Sequence, residues 1–171
     1  RYRYGGHDTY WMTTTLAPQG GTSTATLEDA QGRTAQLRQY HNRAATGGFD
    51  ATSYDYQPSG QLARVTDPAG NQWRFDYDLR GRRVAVHDPD TGTSTTSYNL
   101  AGQPVATVDA NGTRLAYRYD QLGRPTQVWE GAADSGDLLI ERTYDGGSNG
   151  IGRPHTATRY TDGQAIQTTY R

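Results

Sequence analysis

Four tyrosines in the middle of this chain are each followed, four positions later, by a glycine, and these glycines are spaced by 21 residues. The four stretches are residues 56–60, 77–81, 98–102 and 119–123. In a repeat this regular, each unit buries its apolar side chains against the next unit. The spacing therefore predicts one repeat region over residues 1–171, with less regular flanks at 1–24 and 146–171. The predicted repeat tyrosines are Tyr56, Tyr77, Tyr98, Tyr119 and Tyr144.

A second turn motif lies halfway through each unit, as in residues 67–70 and 109–112. Aspartate at the start of a turn can bond the backbone ahead of it, and glycine near the end accepts a positive φ. Strand plus turn then takes 10 or 11 residues, which suits an antiparallel meander and is too short for a parallel crossover. The predicted turn residues are Asp29, Gly32, Gly60, Asp67, Gly70, Asp78, Gly81, Asp88, Gly92, Gly102, Asp109, Gly112, Asp120 and Gly123.

The residues between the turns alternate as strands do. Trp73, Phe75 and Tyr77 occupy every second position, so they share one face of a sheet. We expect an all-β fold, a long antiparallel meander of about 14 short strands with one aromatic face. Residues 33–45 favour a strand over a short helix, and residues 138–144 form a strand between two longer loops.

The turns also predict a register. A type I turn with a bulge at 67–70 and a two-residue loop at 78–81 would both keep apolar residues together, so we expect the two turn classes to alternate. The predicted pairs are Val65 with Trp73, Ala63 with Phe75, Phe75 with Val84, and Trp73 with Val86.

Composition limits the classes of function. Only 33% of residues are hydrophobic, which excludes a thick core, yet the 13 tyrosines argue for order rather than disorder. The formal net charge of −1 gives no reason to expect nucleic acid as a partner. Cysteine is absent, and no apolar run is long enough to span a membrane. We expect a piece of a longer protein whose targeting signal lies outside this sequence.

Candidate chemistry is sparse. The four histidines, His7, His41, His87 and His155, show no metal-ligand spacing. Asp88 and Asp90 are better explained by a turn than by an acid/base pair or a calcium loop. The glycine-rich residues 146–150 lack the lysine of a phosphate loop and are interpreted as a flexible connection. We therefore expect no enzyme activity, no metal and no cofactor.

Two hexapeptides carry a family resemblance: Tyr119-Asp120-Gln121-Leu122-Gly123-Arg124 and Tyr77-Asp78-Leu79-Arg80-Gly81-Arg82. With a period near 20, they resemble the YD repeat of the Rhs family, and the resemblance covers residues 25–165. The units at Tyr56 and Tyr98 depart from it, because Gln57 and Asn99 stand where the family has aspartate.

The resemblance implies a β-sheet that spirals into a hollow shell, as in bacterial polymorphic toxins, wall-associated proteins and teneurins. On that basis we expect a structural segment of a secreted or cell-surface bacterial protein. Its partners would be the remainder of the same polypeptide and an enclosed C-terminal effector, and self-association could occur through the sheet edges.

Two alternatives stay open. The first is an adhesion module that binds cell-surface glycans or another protein through exposed aromatic rings. The candidate stacking residues are Trp73, Tyr77, Tyr117 and Tyr119. The second is a β-propeller, because two units make 42 residues, near the length of a four-stranded blade.

Overall fold

The computed structural model describes residues 2–4 and 8–170, and every regular element in that part of the chain is a β-strand. The chain divides into two compact units, residues 1–91 and residues 92–171. The first unit contains β1 (Tyr2–Tyr4), β2 (Asp8–Thr15), β3 (Thr24–Glu28), β4 (Thr34–Tyr40), β5 (Phe49–Tyr56), β6 (Leu62–Thr66), β7 (Gln72–Tyr77) and β8 (Arg83–Asp88). The second contains β9 (Gly92–Tyr98), β10 (Pro104–Val108), β11 (Arg114–Tyr119), β12 (Pro125–Glu130), β13 (Asp137–Tyr144), β14 (Pro154–Thr161) and β15 (Gln164–Thr169).

Strand order follows the sequence within each unit, and each strand is antiparallel to the next. The predicted all-β meander is confirmed. The propeller alternative is wrong, because a propeller would break the hydrogen-bonded ladder after every fourth strand. Residues 33–45 contain strand β4, as expected, and residues 138–144 lie within strand β13. The described part of the chain has no helix that is long and apolar enough to span a membrane.

The register prediction is right at the first turn tested. Val65 pairs with Trp73, and Asp67 accepts a hydrogen bond from the N–H of Gly70 at 3.1 Å. The ladder between β6 and β7 ends at the pair of Arg64 and Arg74, so the predicted pair of Ala63 with Phe75 is not part of it.

At the next turn the register prediction is wrong. Phe75 pairs with Val86 rather than with Val84. The N–H of Gly81 donates to Asp78 at 2.9 Å, and the N–H of Asp78 donates to Arg82 at 2.9 Å, which is the pattern of the 67–71 turn. The two turn classes therefore do not alternate.

A β-bulge recurs after each tyrosine turn and accounts for the rest of the shift. Tyr77 pairs with Arg83 and Asp76 pairs with Ala85, which leaves Val84 as an extra residue on β8. Register shifts at the equivalent place leave the extra residues Ala35, Ala63, Val105, Thr126 and His155. A bulge bends its strand and increases the local twist, so this sequence bends the sheet once per repeat.

The two faces of each unit differ in chemistry. In the first unit Tyr54, Val65 and Trp73 form one row of paired residues on an aromatic face. Asp55, Arg64, Arg74 and His87 form a row on the other, polar face. In the second unit Tyr117, Val128 and Ile140 form a row on one face, while Arg118, Gln127 and Glu141 form a row on the other. Burial is slight: the hydrophobic residues buried within the described parts are Ala25, Leu27, Tyr40, Ala106 and Ala116.

Candidate functional site

Four of the repeat tyrosines each fasten a hairpin to the one before it. The hydroxyl of Tyr77 donates a hydrogen bond of 2.9 Å to the carbonyl of Leu62, which lies beside the bulge of the preceding repeat. Leu62 lies beyond the end of the ladder that joins β6 to β7, so the hydroxyl takes the place of a strand partner. The same bond joins Tyr56 to Thr34, Tyr119 to Pro104 and Tyr144 to Pro125, at 2.8–2.9 Å. Burial raises the pKa of the Tyr56 and Tyr119 hydroxyls, which keeps them protonated as donors.

The aspartate of the repeat organises its own turn. One carboxylate oxygen of Asp78 accepts hydrogen bonds from the backbone N–H groups of Arg80 and Arg82 at 2.9 and 3.0 Å. The other oxygen accepts the Nε–H of Arg82 at 2.7 Å. These bonds, led by the one from the Arg82 side chain, hold the pKa of Asp78 below its usual value. The pairs Asp29–Arg33 and Asp120–Arg124 repeat this arrangement.

Where the repeat has glutamine in place of arginine, the side chain reaches the next turn. The Nε2 group of Gln61 donates to the carbonyl of Gly81 at 2.6 Å, and that of Gln103 donates to the carbonyl of Gly123 at 2.9 Å. Neighbouring tyrosine turns are therefore cross-linked by side chains as well as by strand pairing. We call this row of turns, residues 29–33, 57–61 and 78–82 in the first unit and 99–103, 120–124 and 145–153 in the second, the tyrosine-turn edge.

Arg124 makes the most extensive of these contacts. Besides Asp120, it binds both carboxylate oxygens of Asp145 at 2.9 and 2.6 Å, and its guanidinium lies 4.3 Å from the centre of the Tyr144 ring. A bidentate pair of this kind fixes orientation as well as distance. Arg33 lies over the ring of Tyr56 in the same way, at 4.4 Å.

The hydrogen bonds from the Arg124 side chain lower the pKa of Asp145 to about 2. A carboxyl whose pKa is depressed in the folded state contributes stability that is fully present above its unfolded pKa, near 3.8, and is lost as the pH falls toward 2. We expect Arg124→Gln to lower stability at pH 6 and to flatten the loss of stability between pH 4 and pH 2. Urea unfolding midpoints at pH 6, pH 4 and pH 2 measure this, and Arg114→Gln at an exposed position serves as the control. Parallel pH profiles for Arg124→Gln and the unmodified protein would contradict the assignment.

The remaining candidate residues are dispersed. The four candidate stacking residues lie on two strands: Trp73 and Tyr77 on β7 in the first unit, and Tyr117 and Tyr119 on β11 in the second. Tyr117 also shares a hydrogen bond of 3.0 Å with the Thr107 hydroxyl. We call a tyrosine whose hydroxyl bonds a backbone carbonyl of the preceding hairpin a clamp. The sequence does not reveal that Tyr77 and Tyr119 act as clamps, and their role in ligand binding stays a prediction.

Two histidines, His41 and His87, each contact a single carboxylate. His87 lies 2.9 Å from Asp76, and His41 lies 3.3 Å from Asp50. His7 lies outside the described residues. Within the described ranges, no three His, Asp or Glu side chains are grouped in a way that could hold a metal ion.

The sequence of the central repeats matches a known family. Residues 54–93 and 98–128 match the RHS repeat. The chain carries RHS repeats, so the predicted family is confirmed over these residues. No curated protein matches the chain significantly in sequence.

Solved structures share the fold. The crystal structure of TcdB2-TccC3-TEV matches with a TM-score of 0.69 at 19% identity, over 88% of this chain and 9% of that chain. The crystal structure of TcdB2-TccC3 matches with a TM-score of 0.68 at 22% identity, over 81% of this chain and 8% of that one. The Tc holotoxin pore of Photorhabdus luminescens, with a mutated TccC3, matches with a TM-score of 0.67 at 22% identity, with the same coverage of 81% and 8%. This chain therefore spans 8–9% of the solved chains to which it is similar.

Proposed function

We propose that this chain is a wall segment of an RHS-repeat shell that encloses a C-terminal effector of a secreted bacterial protein. The observation that carries the proposal is the tyrosine-turn edge. Within each unit, hairpins of this edge are joined by strand pairing and by side chains that span two turns, as Gln61 does in the first unit and Gln103 and Arg124 do in the second. Each unit is thus built as a stretch of wall rather than as a scaffold for a pocket.

The two faces suit a wall that separates a cargo from its surroundings. Charges on the polar face of the first unit pair with one another, since Arg64 binds Asp55 at 2.8 Å and His87 lies 2.9 Å from Asp76, while Arg74 bonds the Gln72 side chain. Paired charges expose little uncompensated potential, so a folded or unfolded cargo would meet a hydrated surface without strong binding sites. One bulge per repeat supplies the bending that a closed wall needs.

The partners of this segment in the proposal are the remaining repeats of the same polypeptide and the enclosed effector. Similarity of fold to TcdB2-TccC3 and to a Tc holotoxin pore supports a toxin context. A segment of this kind acts by containment, and none of the described residues needs to be catalytic for it.

Limited proteolysis of the full polypeptide tests the proposal. We expect the effector region to resist protease in the unmodified protein, because the wall keeps the protease out. The double variant Tyr56→Ala/Tyr77→Ala removes two successive clamps, and we expect it to expose the effector to cleavage at least several times faster. Tyr54→Phe is the control, since no described residue bonds its hydroxyl, and it should leave the protection unchanged.

The same samples distinguish containment from adhesion. If the effector region is cleaved at the same rate with and without the double substitution, containment is wrong. Glycan binding that is lost in Trp73→Ala while protease protection is retained would instead favour an adhesion module.

A further inference from the structure

The last tyrosine turn, residues 145–153, departs from the other turns. Its backbone closes in the usual way, because the N–H of Asp145 donates to the carbonyl of Arg153 at 3.0 Å. Seven residues separate the two instead of three, however. The carboxylate of Asp145 is already bound by Arg124 from the preceding turn and by the N–H of Gly152 at 2.7 Å. Arg153 therefore lacks the aspartate that its counterparts Arg82 and Arg124 hold.

Arg153, which has no aspartate partner among the described side chains, borders a cavity. Among residues 10–170, whose side chains the structure describes, no carboxylate forms an ion pair with Arg153. Arg153 lines a cavity of about 570 Å³ together with the loop 146–150, His155 and Tyr170. That volume lies in the range of sites that hold small ligands.

His155, which lines the same cavity, has an orphaned polar atom. The Nδ1 atom of His155 is buried and has no hydrogen-bond partner among the described residues. The imidazole packs against Gly146, where an added Cβ would come within 2.2 Å of the ring. The backbone of His155 is held in place too, since its carbonyl accepts the N–H of Tyr170 at 2.8 Å. Buried polar atoms are almost always paired, so an unpaired one in a fixed ring calls for a partner.

We propose that this cavity binds an oxyanion, a carboxylate or a phosphate group. The Nδ1–H tautomer of His155 donates one hydrogen bond to it, and the guanidinium of Arg153 supplies the compensating charge. A water molecule would satisfy His155 alone, whereas an anion satisfies His155 and Arg153 together. The glycine-rich loop is then the wall of a binding site, and this role is independent of the containment proposed above.

NMR titration of the protein labelled with ¹⁵N-histidine tests the site, with inorganic phosphate in one series and acetate in the other. We expect a saturable shift of the His155 Nδ1 resonance in at least one series, and the series that saturates identifies the group. Arg153→Gln should weaken binding by about tenfold or more, as expected for the loss of a charge-assisted hydrogen bond. Gly146→Ala, which displaces the imidazole, should abolish the shift.

The control is Arg142→Gln, which removes a cation from strand β13 that does not line the cavity. It should leave the affinity unchanged. Linear shifts without saturation in both series, or equal weakening by Arg142→Gln and Arg153→Gln, would overturn the proposal and leave general surface attraction as the explanation. Backbone spectra of each variant show whether the fold is retained.

Discussion

Replacing Tyr77 by alanine is expected to destabilise the protein by about 2 kcal/mol, less than the roughly 3–5 kcal/mol that truncating a fully buried aromatic side chain costs, because the ring is half-buried. Two contributions are lost together. The ring leaves the aromatic face beside Phe75, and the backbone carbonyl of Leu62 loses the hydroxyl that bonds it at 2.9 Å.

Tyr77→Phe separates these contributions, since it keeps the ring and removes the hydroxyl. We expect a cost of about 1 kcal/mol, the usual net value of one hydrogen bond. Tyr54→Phe is the matched control. Tyr54 lies on the same aromatic face one hairpin earlier, and no described residue bonds its hydroxyl. Chemical denaturation of the three variants measures the differences in the free energy of unfolding. Equal costs for Tyr77→Phe and Tyr54→Phe would show that the hydroxyl does not act as a clamp.

The clamp explains why the tyrosine is the fixed member of the repeat. Its partner is always a backbone carbonyl, so the residue at the accepting position can vary, as Thr34, Leu62 and Pro104 show. Proline is accepted there because the position uses its carbonyl and needs no N–H for this bond. Neighbouring hairpins are therefore held together by a bond to the backbone, which does not depend on the accepting side chain. The turn residues between the clamps can carry other functions.

The strands and the turns could be predicted from the sequence because both depend on local chemistry. Alternation of Trp73, Phe75 and Tyr77 defines a strand, and the aspartate and glycine of residues 67–70 define a turn. The register after Tyr77 could not be predicted in the same way. Val84 is an ordinary strand residue, and nothing in its neighbourhood marks it as the extra residue of a bulge.

The wrong register nevertheless leaves each side chain on its predicted face of the sheet. The observed turn adds one residue to the predicted two-residue loop, and the bulge adds another, so the pairing moves by two positions from Val84 to Val86. Side chains alternate with a period of two, and a shift of two keeps each one on its face. This is why the aromatic face was predicted correctly with the wrong partner residue.

The contacts of the tyrosine-turn edge were missed for a different reason. The spacing of Asp78 and Arg82 recurs at Asp29 and Arg33 and is visible in the sequence. It shows that the two side chains can meet across a turn, but not that Arg124 reaches the following turn. That contact depends on the distance between neighbouring hairpins, which only the packed sheet determines.

Two turn glycines, Gly123 in a tyrosine turn and Gly112 in a halfway turn, differ in what lies over them. Gly123 has φ +81°, and a Cβ added there would lie 2.9 Å from the Nε2 atom of Gln103. Gly112 has φ +85° and nothing within 4 Å. The backbone bonds of the two turns are alike, with the glycine N–H donating at 3.0 and 3.1 Å to the aspartate that opens each turn.

Gly123→Ala is accordingly expected to cost more than Gly112→Ala. The strain of a left-handed residue, about 1–2 kcal/mol, applies to both substitutions. At Gly123 the methyl group also displaces Gln103 from the carbonyl that it bonds at 2.9 Å, which adds about 1 kcal/mol. In a Gln103→Ala background that bond is already absent, so the two glycine substitutions should then cost the same. Denaturation curves of the four variants measure this difference, and an unchanged gap in the Gln103→Ala background would show that the side-chain link between neighbouring turns contributes nothing to the stability of the sheet.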